Sequence, residues 1–221
     1  RENLLNPPGH WGPWINGGAW LTVAGLPVDV LLRDIGRVEA VLAACIAGRI
    51  TVDYQSGHPF GFVNTIYAAE THYARPLWQD EAAPLDGLKA LLYSEGQYPP
   101  RMRDAVVRTF LWEAEFSLAC GRKAAPKGDA HYATGSLFRT VCSWVQVPCA
   151  LNSRYLMYEK GALGPVEGFE SSPPEMPPRV AEIYRLLGEG HAEEAYQRAD
   201  ALHGEVARLA SGVRPTAGVG R

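Results

Sequence analysis

The first strong hydrophobic pattern runs from Ala19 to Val23, a short stretch of apolar and β-branched residues that stops at Ala24-Gly25-Leu26-Pro27. A second stretch, Val28 to Leu32, follows directly, and two such runs joined by a Gly/Pro turn predict an antiparallel strand pair. Asp29 sits within the second run, between Val28 and Val30. An unpaired carboxylate is costly to bury. Either the strand is half exposed and Asp29 faces solvent, or the strand presents Asp29 to a metal ion or base at a cleft. Further on, Val38, Val41, Leu42, Cys45 and Ile46 make a helical stripe over Gly36 to Ala47, which Gly48 closes. Ile50 to Tyr54 alternates as a third strand, followed by the glycine-flanked loop QSGHPFGF. Thr65 to Tyr73 and Ala83 to Leu92 read as short helices around an extended Pro76-Leu77-Trp78.

The pattern changes at Tyr98-Pro99-Pro100, after which it is helical. Met102 to Cys120 carries one broad apolar face, and Ala124 to Gly128 interrupts it. Asp129 is placed to cap the next helix, which the pattern extends as far as Lys160 with a kink at Pro148. Gly161 to Pro178 reads as a polar, proline-rich connector, and Val180 to Leu209 as two amphipathic helices separated around Gly188-Glu189-Gly190. The segment before the strand pair, Arg1 to Ile15, is rich in Pro, Gly and Trp and reads as irregular chain whose tryptophans pack on the sheet. The expectation is an α+β chain with no internal repeat: an α/β part over residues 1–96, a helical bundle over 97–211 and a disordered tail over 212–221.

Composition narrows the function classes. A hydrophobic fraction of 47% and a charged fraction of 20% describe an ordinary globular chain. The net charge of −3 and the absence of a Lys/Arg run argue against a nucleic-acid groove, while leaving room for local cations that hold a small anion. No apolar run reaches membrane-spanning length, so no membrane partner is expected. Cys45, Cys120, Cys142 and Cys149 show no Cys-x-x-Cys spacing and no neighbouring His at zinc spacing, which fits reduced core thiols and a cytoplasmic location.

Four stretches then carry a resemblance: GHWGPWINGGAWLTVAGLPVDVLLRDIGRVE, SGHPFGF, GDAHYATGSLFRTV and ALNSRYLMYEKGAL. In this order, across most of residues 10 to 165, the chain resembles a bacterial nucleotidyltransferase family of the polymerase-β superfamily. That family includes the aminoglycoside and lincosamide nucleotidyltransferases. The resemblance implies a mixed nucleotidyltransferase sheet with flanking helices, here incomplete, followed by a helical bundle. It implies Mg²⁺-dependent transfer of a nucleoside monophosphate from an NTP, with ATP as the expected co-substrate, to a hydroxyl of a small-molecule acceptor. The family's third catalytic carboxylate lies in the motif VDVLLRD, which maps onto Asp29 as a catalytic and metal-binding residue. Such a carboxylate binds one metal ion or draws the proton from the acceptor, while catalysis otherwise consists of holding phosphates and neutralising charge.

The same resemblance turns the region of Asn152, Glu159 and Lys160 toward the cleft, with Lys160 on the triphosphate and Glu159 on the acceptor. A helix C-terminus whose Lys complements the dipole is the plainer reading of that region. Lys123 fits either a phosphate contact or a solvated turn, Tyr132 either base stacking or core packing, and His58 either a cleft residue or a hydrogen-bonded turn. Asp53 is a further candidate base. Self-association as a homodimer is left open.

The departures from the family pattern are equally specific. The Gly-Ser turn and Asp-x-Asp pair that the family carries upstream of its third carboxylate are not found before Asp29, and Glu2 is the one acidic residue ahead of Val28. Gly135-Ser136 lies far downstream on a predicted helix. The chain begins with Arg, which leads to the expectation that the motif precedes Arg1; a catalytically inactive relative is the other explanation. Two other classes remain in play. One is a protein that keeps the fold to bind a small molecule or partner. The other is a toxin–antitoxin ribonuclease, whose loose Arg-x4–6-His signature is matched by Arg185 with His191 and by Arg198 with His203.

Overall fold

A computed structural model describes residues 5–212. The tail expected from residue 212 therefore lies outside the described residues from 213 on. The strand pair is as the sequence predicts: β1 (Gly17–Val23) and β2 (Leu26–Leu32) pair antiparallel, with Trp20 opposite Asp29 and Gly18 opposite Leu31. Ala24 and Gly25 both take positive φ, the two-residue turn whose twist suits a hairpin. Gly17 and Gly18 let the N-terminal segment cross this hairpin closely. Asn6 and Gly18 exchange backbone hydrogen bonds of 2.7 and 3.0 Å, and a Cβ on Gly17 would lie 2.7 Å from Asn6 O.

Beyond the hairpin come α1 (Ile35–Ile46), β3 (Val52–Asp53), β4 (Phe62–Val63), α2 (Thr65–Tyr73) and α3 (Pro84–Leu92). The single mixed sheet expected here is replaced by two separate antiparallel pairs, β1 with β2 and β3 with β4. The third strand, expected over Ile50 to Tyr54, shrinks to two residues because a side chain takes the place of a neighbouring strand. Asn64 Oδ1 accepts from Thr51 N at 3.2 Å, and Asn64 Nδ2 donates to Arg49 O at 2.8 Å.

The helical half consists of α4 (Pro100–Ala124), α5 (Ala130–Leu151), α6 (Leu163–Val166), α7 (Met176–Gly188) and α8 (Ala192–Ser211). A single turn of 3₁₀ helix, Ala125–Lys127, separates α4 from α5, and Asp129 caps α5 by accepting from Tyr132 N at 3.1 Å. The α5 helix passes through Pro148 but stops at Leu151, nine residues short of the expected Lys160. Ser153 takes φ of 54°, Arg154 N donates to Cys149 O at 2.8 Å and Ser153 N to Ala150 O at 3.2 Å, a paired 6→1 and 5→2 closure of the helix. Asn152 is the C-cap of α5, as expected near the helix end, whereas Glu159 and Lys160 lie on the irregular segment after it. The proline-rich connector likewise contains a short helix, α6. One continuous hydrophobic core joins the two halves, running from Trp14, Leu42 and Phe62 through Phe110 and Trp144 to Leu202 and Val206. No described helix is long and apolar enough to cross a membrane.

Candidate functional site

Four segments that are distant in the chain meet at a groove of about 750 Å³. Its walls are His10 to Pro13, Trp20 and Leu31 of the hairpin, Tyr54 to His58, and Lys160. Gln55, itself buried, holds the walls together: its Nε2 donates to Trp11 O at 2.7 Å and its Oε1 accepts from Trp14 N at 3.4 Å. Beneath it, Trp14 packs between Phe62 and Tyr67, and the Tyr67 hydroxyl donates to Trp14 O at 2.6 Å. Burial pushes the Tyr67 phenol up, against the pull of Arg33 and Arg37, so it remains a donor there. Arg33 ties β2 to α2 through a two-pronged contact with Glu70, at 2.6 and 2.9 Å.

The groove's chemistry is cationic and aromatic. Lys160 has no ion-pair partner among the described residues, and none of the lining residues is acidic. Trp11 stacks on Trp20 with ring centroids 4.5 Å apart, and Trp20 and Tyr54 are both exposed, offering flat faces to a ligand. His58 stands edge-on to Phe62, and its Nδ1 is buried without a hydrogen-bond partner among the described residues. Because cross-strand partners share a face of the pair, Asp29 lies on the same hairpin face as Trp20 and Leu31, and it is exposed there. This favours the reading of Asp29 as a residue of a half-exposed strand, set beside the groove.

The other candidates fall elsewhere. Glu159, one residue before Lys160, lines a different cavity, discussed below. Asn152 is engaged on the backbone, donating to Pro148 O at 2.8 Å and to Ser171 O at 3.0 Å while accepting from Ser171 N at 3.1 Å. Those bonds pin the ends of the segment that carries Glu159 and Lys160. Tyr155 anchors the same segment: its hydroxyl donates to Gln97 O at 2.8 Å and its carbonyl accepts from the Tyr73 hydroxyl at 3.0 Å. Tyr132 faces a separate depression with Trp112 and Phe116, and Lys123 lies in the last turn of α4. Asp53 accepts from the Thr51 hydroxyl at 2.9 Å and shares a second groove with His58, Glu113 and Arg139.

The stacking of Trp11 on Trp20 is what the sequence predicts for the tryptophans of the first segment, whereas the clamp Gln55 was not picked out from the sequence alone. Gln55 becomes meaningful only once the N-terminal segment is laid across the hairpin. The Arg–His pairs of the ribonuclease reading are occupied otherwise. Arg198 pairs with Glu194 at 2.7 Å on the same helix, and Arg185 pairs with Glu182 and Glu189. His203 Nδ1 accepts from Trp144 Nε1 at 3.1 Å.

A Mg²⁺ ion asks for several hard oxygen ligands in octahedral geometry. Asp29 supplies one carboxylate, and among the described residues no group of three or more His, Cys, Asp or Glu converges to hold a metal. The described donor set thus does not by itself fit the metal that the resemblance implies. Comparison with protein-family models, with curated proteins and with solved structures returns no match to this chain.

Proposed function

We propose that the chain serves nucleotidyl transfer, the groove taking a nucleoside triphosphate whose nucleoside monophosphate passes to a hydroxyl of a small molecule. The observation that carries the reading is the groove itself: a free lysine, two histidines and exposed indole and phenol faces, with no carboxylate in the lining. A polyphosphate wants cations and a base wants flat faces, and a volume of about 750 Å³ is within the range of small-molecule sites. The resemblance of the VDVLLRD and NSRYLMYEKGAL stretches to nucleotidyltransferases points the same way, since it assigns Lys160 to the triphosphate and Asp29 to catalysis.

In this reading Lys160 balances phosphate charge, and Trp20 or Tyr54 stacks on the base. Asp29, on the hairpin face beside the groove, accepts the proton of the acceptor hydroxyl as its oxygen attacks the α-phosphorus and pyrophosphate leaves. No step is assigned to a metal ion.

Calorimetric titration with ATP and the other three triphosphates tests the groove. Lys160→Ala is expected to weaken binding about tenfold, the scale of one charge-assisted contact, and Lys123→Ala to leave it unchanged. Absence of binding for all four, or equal behaviour of the two variants, would sink the proposal. Asp29→Asn is expected to abolish pyrophosphate release while triphosphate binding persists. Binding without any release would make the protein a nucleotide-binding module.

A further inference from the structure

Behind the groove, on the other side of the segment that carries Lys160, lies a second cavity of about 340 Å³. One wall is α5, through Phe138, Val141, Cys142, Val145 and Gln146, and the opposite wall is the chain from Leu156 to Leu163. The lining is almost wholly apolar and holds one charged residue, Glu159. The Glu159 carboxylate has neither a hydrogen bond nor an ion pair with any described residue, although its carbonyl accepts from Ala162 N at 3.3 Å. Its charge is felt inside: burial pushes the Cys142 thiol up to about 12, and the Glu159 carboxylate adds to the effect.

A second, independent observation lies on α5. Gln146 is 7% exposed, yet its carboxamide makes no hydrogen bond to any described residue. Buried side-chain amides are normally paired, and the Gln146 amide atoms are not fully enclosed. Gln146 lines this cavity, so a polar group entering the cavity would meet a donor and an acceptor that the fold leaves unused.

We propose that this cavity binds a small, largely apolar molecule bearing one protonated amine. Its body is held by the valine and aromatic wall of α5 and its cation by Glu159, with Gln146 supplying the hydrogen bond. The cavity and the groove thereby divide the chemistry of two ligands: the anion on Lys160, the cation on Glu159, one residue apart in the chain. That the amine-bearing molecule also carries the acceptor hydroxyl of the transfer rests on the reading given above; that the cavity binds it does not.

The test uses three probes with one apolar body, 4-phenylbutylamine, 4-phenylbutanol and 4-phenylbutyrate, titrated by ligand-observed NMR in the absence of nucleotide. The amine is expected to bind about tenfold more tightly than the alcohol, and the carboxylate most weakly. Glu159→Gln is expected to erase the preference of amine over alcohol. Val141→Phe, which fills the cavity, is expected to weaken the amine and the alcohol alike. Glu159 is partly exposed and its carboxylate makes no bond within the fold, so Glu159→Gln reports on charge even if the filled variant proves unstable. Failure of the amine and the alcohol to bind, or an amine preference that survives Glu159→Gln, would overturn the assignment. Triphosphate titrations on the same samples separate the two ideas: amine binding without triphosphate binding keeps the cavity and removes its role as acceptor site. Triphosphate binding without amine binding overturns the cavity assignment and keeps the groove.

Discussion

Among the described helical glycines, Gly121 on α4 has the closest neighbours, where Tyr196 of α8 inserts between α4 and α5. A Cβ at position 121 would overlap Tyr196 Oη and lie 2.8 Å from its Cζ and 2.9 Å from Ser136 Cβ. Tyr196 is buried, and its hydroxyl donates to Ala133 O of α5 at 2.8 Å. Gly121→Ala must therefore displace the ring and break that bond. Overpacking of this kind costs about 1–3 kcal/mol and a lost buried hydrogen bond about 1–3 kcal/mol. Alanine's better helix propensity returns about 1 kcal/mol. The net expectation is a loss of about 3 kcal/mol, or about 6–12 °C in Tm for a chain of this size. Urea denaturation followed by circular dichroism measures it. In a Tyr196→Phe background the hydroxyl is gone but Cζ and Ser136 Cβ remain close, so the cost of Gly121→Ala falls without vanishing, giving a coupling of about 1–2 kcal/mol. Were Gly121→Ala neutral or stabilising, as at a solvent-facing helical glycine, the packing argument would be refuted.

Other predictions follow from burial. Burial holds the His203 imidazole below its ordinary value of 6.5, Glu115 and Asp200 opposing and Arg122 assisting. The unfolded chain then takes the proton first, so stability is complete above about pH 6.5 and declines as pH falls through the folded value. His203→Gln, which keeps an acceptor for Trp144, should flatten that decline, read as urea midpoints between about pH 5 and 8; an unchanged slope would place its origin elsewhere, His72 being held down by burial in the same sense. Cys45, Cys142 and Cys149 are buried and each is pushed up to about 12 by burial, whereas Cys120 is half-buried. Iodoacetamide at about pH 8 should label Cys120 quickly and the other three only after urea is added, and a second fast thiol would contradict the packing of α5 or α1.

The hairpin, the helices and their rough limits were legible because each rests on a short-range period or a cap: alternation from Ala19 to Leu32, the stripe from Val38 to Ile46, Asp129 ahead of Tyr132. The failures have one cause, a side chain or backbone angle that overrides the local pattern. Asn64 stands in for a strand beside Thr51, and Ser153 adopts a left-handed conformation that no composition announces. The site divides in the same way. His58 and Lys160 could be named as single residues of suitable chemistry. That they share a groove with Trp20, and that Tyr132 faces another depression, depends on how the irregular segment before β1 and the loop between β3 and β4 are laid against the hairpin. Gln146 was hidden for a further reason: inside an apolar helical run a glutamine gives no sign of whether its amide is paired.

Glu159 and Lys160 are neighbours that serve opposite charges on opposite sides of one strip of chain, whose frame is set by the Tyr155 anchor before them and the left-handed Gly161 after. The spacing between those two fixed points is therefore a reading frame for charge. Loss of one residue between Tyr155 and Glu159 would bring the lysine into the apolar cavity, and insertion of one would turn the carboxylate into the anion groove. Substitutions along Leu156, Met157 and Tyr158 alter a wall, but a change in their number inverts what both chambers select.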